Sequence, residues 1–239
     1  MEPIRVLGKE EASMAFKSSK VAWVVVAVSL IAVSSFAFLP SSGDPTTFKV
    51  SAAGDAYVST ANPTAAYGKD VDVWVSKVGS VENWGYLSFD IASKLPAGVV
   101  VVKARLKLLV DQSYGVFPAQ TVAGRLLADF NEATLTYNTA PAASFDISTN
   151  TLFAKRPMLG FTVFIDVTGQ LMTWRNSGQR TLFGLVLTMD HATANAGIAF
   201  ASRENTLLEG PVLQVFTLPP GQYGYSISPG EILAVRTSN

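Results

Sequence analysis

From residue 46 onward the chain alternates short apolar runs with polar punctuation. Residues 71–75 (VDVWV) and 84–89 (WGYLSF) alternate with period 2, the spacing that sends successive side chains to opposite faces of a strand. Residues 98–110 (GVVVVKARLKLLV) predict a longer strand. In it Val102, Ala104, Leu106, Leu108 and Val110 share one face, and Lys103, Arg105 and Lys107 the other. Further strands are expected over 120–128, 161–165, 181–189, 198–202 and 212–216. One helix is expected, with Thr168 as its cap, Asp166 and Thr168 placed to satisfy free N–H groups at its start, Leu171, Met172 and Trp174 as apolar contacts, and Gly178 ending it just beyond Asn176. Many short strands with turn signals and one short helix predict an all-β fold, an antiparallel β-sandwich. No internal repeat of roughly 20–50 residues is visible.

The first 45 residues follow another pattern. Residues 1–20 mix charges: Arg5, Lys9, Lys17 and Lys20 against Glu2, Glu10 and Glu11. Residues 21–39 (VAWVVVAVSLIAVSSFAFL) then carry no charge. As a helix they would span roughly 28 Å, close to the hydrocarbon thickness of a bilayer. Lys17 and Lys20 just before them predict a cytoplasmic segment over 1–20. Two readings of 21–39 stay open, a cleaved signal peptide or an uncleaved single transmembrane helix that makes the membrane a partner. Both place the rest of the chain outside the cytoplasm, extracellular or at the cell surface. The expected organisation continues with a linker over 40–49, a β-sandwich over 50–216 and a tail over 217–239.

Composition narrows the chemistry. Lys+Arg and Asp+Glu are 18 each, so the formal net charge is zero and a general nucleic-acid binder is excluded. With no cysteine, disulfides and thiolate metal sites are excluded, and a single histidine, His191, excludes multi-histidine zinc sites. No Gly-x-Ser-x-Gly elbow and no phosphate-binding glycine loop is present, and Ser177 falls in a turn-like stretch (RNSGQ), so no enzyme is expected. No cofactor is expected either. Asp55, Asp70 and Asp72 could contribute to a structural calcium site, but no EF-hand spacing supports one.

Several segments, taken in order, resemble a known family. They are GDAYV (54–58), AAYGKDVDVWV (65–75), GYLSFDIASKLPAGVVVVKARLKLLV (85–110), ADFNEATLTYNTAP (128–141), FIDVTGQLMTWRNSGQRTLFGLVL (164–187) and FASRENTLLEGPVLQV (200–215). They are similar to the DNRLRE domain, also classed as carbohydrate-binding module family 96. Phe130 and Tyr137 stand where the family usually has tryptophans, while Glu132, Thr136, Asn138 and Pro141 keep its pattern. The resemblance implies a jelly-roll-like β-sandwich, exported, that binds polysaccharide, in some members acidic polysaccharides of the alginate type. Glu132, Asn138, Arg203 and Glu204 then read either as a ligand site or as a network tying loops together.

The candidate ligand-binding residues follow from the strand pattern. Lys103, Arg105 and Lys107, joined by Arg125 from a neighbouring strand, could pair with uronate carboxylates. Tyr67, Trp84 and Tyr114 lie near expected loops as aromatic platforms for sugar rings. The alternative function is a structural subunit of an extracellular filament or envelope layer that self-associates by strand exchange. It would lend residues 46–52 (TTFKVSA) or 231–237 (EILAVRT) to a neighbour's open sheet edge.

Overall fold

The computed structural model describes residues 46–178, 181–193 and 195–219. The apolar segment over 21–39 and the strand-like run over 231–237 lie outside these residues. Among the described residues no helix is long and apolar enough to cross a membrane.

The alternating runs form strands. In chain order these are β1 (Thr46–Ser51), β2 (Gly54–Ser59), β3 (Asp72–Val78), β4 (Val81–Phe89), β5 (Val100–Gly115) and β6 (Ala119–Leu126). Two 3₁₀ turns (Glu132–Thr134 and Tyr137–Thr139) precede β7 (Ala143–Phe153), β8 (Thr162–Asp166) and helix α1 (Thr168–Ser177). Strands β9 (Phe183–Met189), β10 (Ala196–Ala201) and β11 (Val212–Leu218) complete the described chain. The result is a curled antiparallel sheet with one short helix. Its path is β1-β11-β5-β10-β3-β4-β9-β6-β7, with β2 added on β4 and β8 on β5. Strand β5 joins its two parts. Its first stretch pairs with β11 and β8, and its end, from Val110 to Gly115, pairs with β10.

One core serves both parts. Val50, Leu106, Ile165 and Leu213 from the first pack in one cluster with Val75, Leu87, Leu185 and Phe200 from the second. Trp174 of α1 lies in the same cluster, its ring edge-on to Phe183 at 5.8 Å. A smaller cluster of Ala56, Val58, Tyr86, Leu126, Leu135 and Val186 lies on the other face of β2, β4, β6 and β9. The segment with the 3₁₀ turns closes over it, setting Phe130 edge-on to Tyr86 at 6.0 Å. The aromatic stretch at Phe130 and Tyr137 is therefore a plug.

Four local features differ from the sequence expectation. Phe216 faces Lys103 while Thr217 faces Val101, so Val102 is an extra residue in β5. This bulge puts Val101 in the core and leaves Val102 half-buried. Thr168 does not cap α1. The Asp166 carboxylate accepts the Thr168 N–H at 3.0 Å, while the Thr168 hydroxyl accepts the β5 N–H of Ala104 at 2.9 Å. Strand β7 was not expected, although Ala143, Phe145 and Ile147 alternate with Ser144, Asp146 and Ser148; six of its eleven residues are exposed and Phe153 alone is buried. Strand β1 begins inside the expected linker and pairs with β11 of its own chain. The helix end does follow the sequence: Gly178, at φ +62°, takes the left-handed conformation that glycine adopts without strain.

Candidate functional site

In the first part of the sheet the alternation of β5 places Lys103, Arg105 and Lys107 on the outward face. Strand register adds groups that single-strand reading could not supply. Lys49, Gln214, Arg105 and Asp166 stand opposite one another across β1, β11, β5 and β8. Phe216 lies beside Lys103, and Phe164 beside Lys107. The Arg105 guanidinium lies 4.3 Å from the Phe164 ring centre and 5.3 Å from that of Phe216. Its Nε donates to Gln214 Oε1 at 2.7 Å, so this arginine is held flat against the sheet. Lys107 is paired with Glu209 at 2.5 Å. Lys49 and Lys103 make no ion pair or hydrogen bond among the described residues, which leaves their ammonium groups available to a ligand.

The other candidates sit elsewhere. Arg125 does not join the stripe, because β6 pairs with β9 and β7 rather than with β5. Tyr67 stacks on Tyr57 at 4.3 Å, and the Tyr57 hydroxyl donates to Asp70. Tyr114 covers Gly197 beside Trp74, ring centres 5.6 Å apart. Trp84 packs edge-on against Tyr137 at 5.8 Å and donates its indole N–H to Glu82 at 2.9 Å. It lines a groove of about 440 Å³ with Val122, Phe145, Asn150 and His191.

Acidic residues gather in two places. Asp55 on β2, Glu132 on the first 3₁₀ turn and Glu204 bring carboxylate oxygens within 4.8 Å of one another. Arg203 lies among them, donating to Glu132 at 2.9 Å and Glu204 at 3.4 Å. Its own N–H bonds Asp55 Oδ2 at 3.0 Å. Burial pushes the Asp55 carboxyl up to about 7; the Arg203 N–H opposes this, and the neighbouring Glu204 and Glu132 add to it. The cluster ties β2, the plug segment and the loop before β11 together. Asn138 stands apart from it, exposed, with its N–H on Pro63 O. Nor do Asp70 and Asp72 join Asp55. Asp72 lies near Asp111 and accepts from Gln112 at 3.2 Å, and its carboxyl too is raised to about 7, first by burial and then by Asp111. Among the described residues, Asp55, Glu132 and Glu204 form the one converging acidic trio, and an arginine already neutralises part of it. The sequence reading had grouped Glu132, Arg203 and Glu204, as a ligand site or a network tying loops together, but not with Asp55, which lies 77 residues from Glu132.

Among the described residues, cations and aromatic rings stand on outward faces of a β-rich fold. The model of carbohydrate-binding module family 96 matches residues 46–217, and the chain belongs to that family. No curated protein matches the chain.

Proposed function

We propose that this protein is a non-catalytic module that binds an acidic polysaccharide on the outward face of β1, β11, β5 and β8. The observation that carries this reading is the register that sets Lys49, Lys103, Arg105 and Lys107 on one face, with Lys49 and Lys103 unpaired. Cations on a rigid sheet suit carboxylates repeated along a glycan chain. Arg105 contributes less to such binding than its charge suggests, because Phe164, Phe216 and Gln214 already hold it.

Three finer points belong to the same reading. The curled sheet closes as a jelly-roll-like sandwich, supported by the single core that both parts share. The module works outside the cytoplasm and reaches it through the uncharged run over 21–39. A binding role rather than catalysis is supported by the family to which the chain belongs.

The test is titration of oligouronates against Lys49→Ala/Lys103→Ala. Binding about tenfold weaker, with stronger salt dependence in the parent and unchanged melting, supports the site. Undiminished binding in the double variant removes it.

A further inference from the structure

The groove beside Trp84 is chemically unlike the basic face. Across the break in β6–β7 pairing, Ala123 faces Thr149 while Arg125 faces Ser144, so five residue steps of β7 answer two of β6. The surplus residues form an arch that carries Phe145 and Ser148. The Phe145 ring settles over Gly124, where any Cβ would stand 2.6 Å from it. A half-exposed phenyl ring thus lies against the sheet in a space that only glycine leaves open. The Gln170 side chain of α1 fastens the break from the other side, donating to Ala123 O at 3.2 Å.

Phe145 and Trp84 are two aromatic walls of the groove. Trp84 is fixed by its bond to Glu82 and by the Tyr137 ring. Between and around the walls lie Ser148 and Asn150 on β7, Thr188 on β9, and Asp190 and His191 just after β9, donors and acceptors for hydroxyl groups. The volume of about 440 Å³ lies within the range of small-ligand sites. No lysine or arginine lines it. The cation at its rim, Lys77, is engaged by Glu82 at 3.7 Å and by the His191 carbonyl at 3.2 Å. The Asp190 carboxylate adds negative charge, so a uronate would be repelled where an uncharged ring would not.

We propose that this groove is a second glycan subsite, separate from the basic face, that takes uncharged sugar residues. Aromatic walls cover the apolar faces of a pyranose ring, and the polar groups meet its hydroxyls. The inference rests on the carbohydrate-binding reading of the family but not on the basic face.

The experiment is calorimetric titration of the described domain's full chain with cellohexaose, mannohexaose and a galactohexaose in turn, beside an oligouronate. At least one neutral hexaose should bind, and Phe145→Ala should weaken it about tenfold or more with the oligouronate unaffected. Gly124→Ala keeps both aromatic residues but displaces the Phe145 ring, and should reproduce that loss. Trp84→Ala is a further variant, and the exposed Phe145 change guards against a mere folding defect. The proposal is overturned if no neutral hexaose binds, or if Phe145→Ala and Gly124→Ala bind it undiminished. It is equally overturned if the oligouronate is what these two variants lose, since the acidic ligand would then occupy the groove. Loss of oligouronate binding confined to Lys49→Ala/Lys103→Ala, with hexaose binding intact, separates the two sites and supports both.

Discussion

Asp55 is a carboxyl taken almost wholly out of water. It is 1% exposed, its Oδ1 has no hydrogen-bond partner among the described residues, and its carboxyl is pushed up to about 7. In the unfolded chain the same group titrates near 3.9. The folded state therefore holds this proton more tightly, so the group's contribution to stability is full below about pH 4 and is lost as pH rises through about 7. Replacing Asp55 by Asn removes the titration while keeping an oxygen for the Arg203 N–H. The expected outcome is a melting temperature that falls less between pH 5 and 8 than in the parent. Equal slopes in the two proteins would show that Asp55 titrates normally. Asp72 shifts in the same direction for the same first cause, burial, so the parent's slope carries both groups and only the difference isolates Asp55. Arg203→Ala tests the opposite side of the network. It leaves Glu132 and Asp55 facing each other without a counter-charge, and should cost about 1–3 kcal/mol by urea denaturation. A loss within error would mean that solvent replaces the arginine.

Among the elements, α1 and β5 depend on one hydroxyl. Thr168 Oγ1 accepts the Ala104 N–H just beyond the β5 bulge, and the Ala104 carbonyl in turn accepts the Val167 N–H at 2.9 Å. Thr168→Val keeps the shape but leaves that strand N–H unpaired, so it should cost about 1–3 kcal/mol by urea denaturation, and Thr168→Ser should recover most of it. Equal stability of the valine and serine variants would show that the strand N–H finds water. This element also shows what a single strand reveals about itself. The basic stripe of β5 was legible because period-2 alternation is a local property. Lys49, Phe164 and Phe216 were not, because their place beside the stripe is set by register between strands far apart in sequence. The β5 bulge was equally hidden: four consecutive valines (Val99 to Val102) offer no alternation from which an extra residue could be counted. Strand β7 escaped for the complementary reason. It lies at the end of the sheet path and shows most of its side chains to solvent, so hydrogen bonding rather than burial defines it.

At the largest scale, the two outward faces of the described fold are backed by a common core. Both parts of the sheet contribute to that core, and β5 runs through both, so neither part can lose its packing alone. Unfolding is expected to be one cooperative transition, with a strand-dominated circular dichroism spectrum; two resolved melting steps would mean that the parts hold separate cores. The same coupling makes ligands additive. A ligand that binds only the folded state at about 100 times its Kd stabilises the protein by about 2.7 kcal/mol, whichever face it occupies. An oligouronate on the basic face and a neutral hexaose in the Trp84 groove share no residue, so each should raise the single melting temperature. Together they should raise it by close to the sum of the separate shifts. Differential scanning calorimetry with each ligand alone and with both present measures this directly. A combined shift no larger than the greater single one would mean that the two sugars compete for one site.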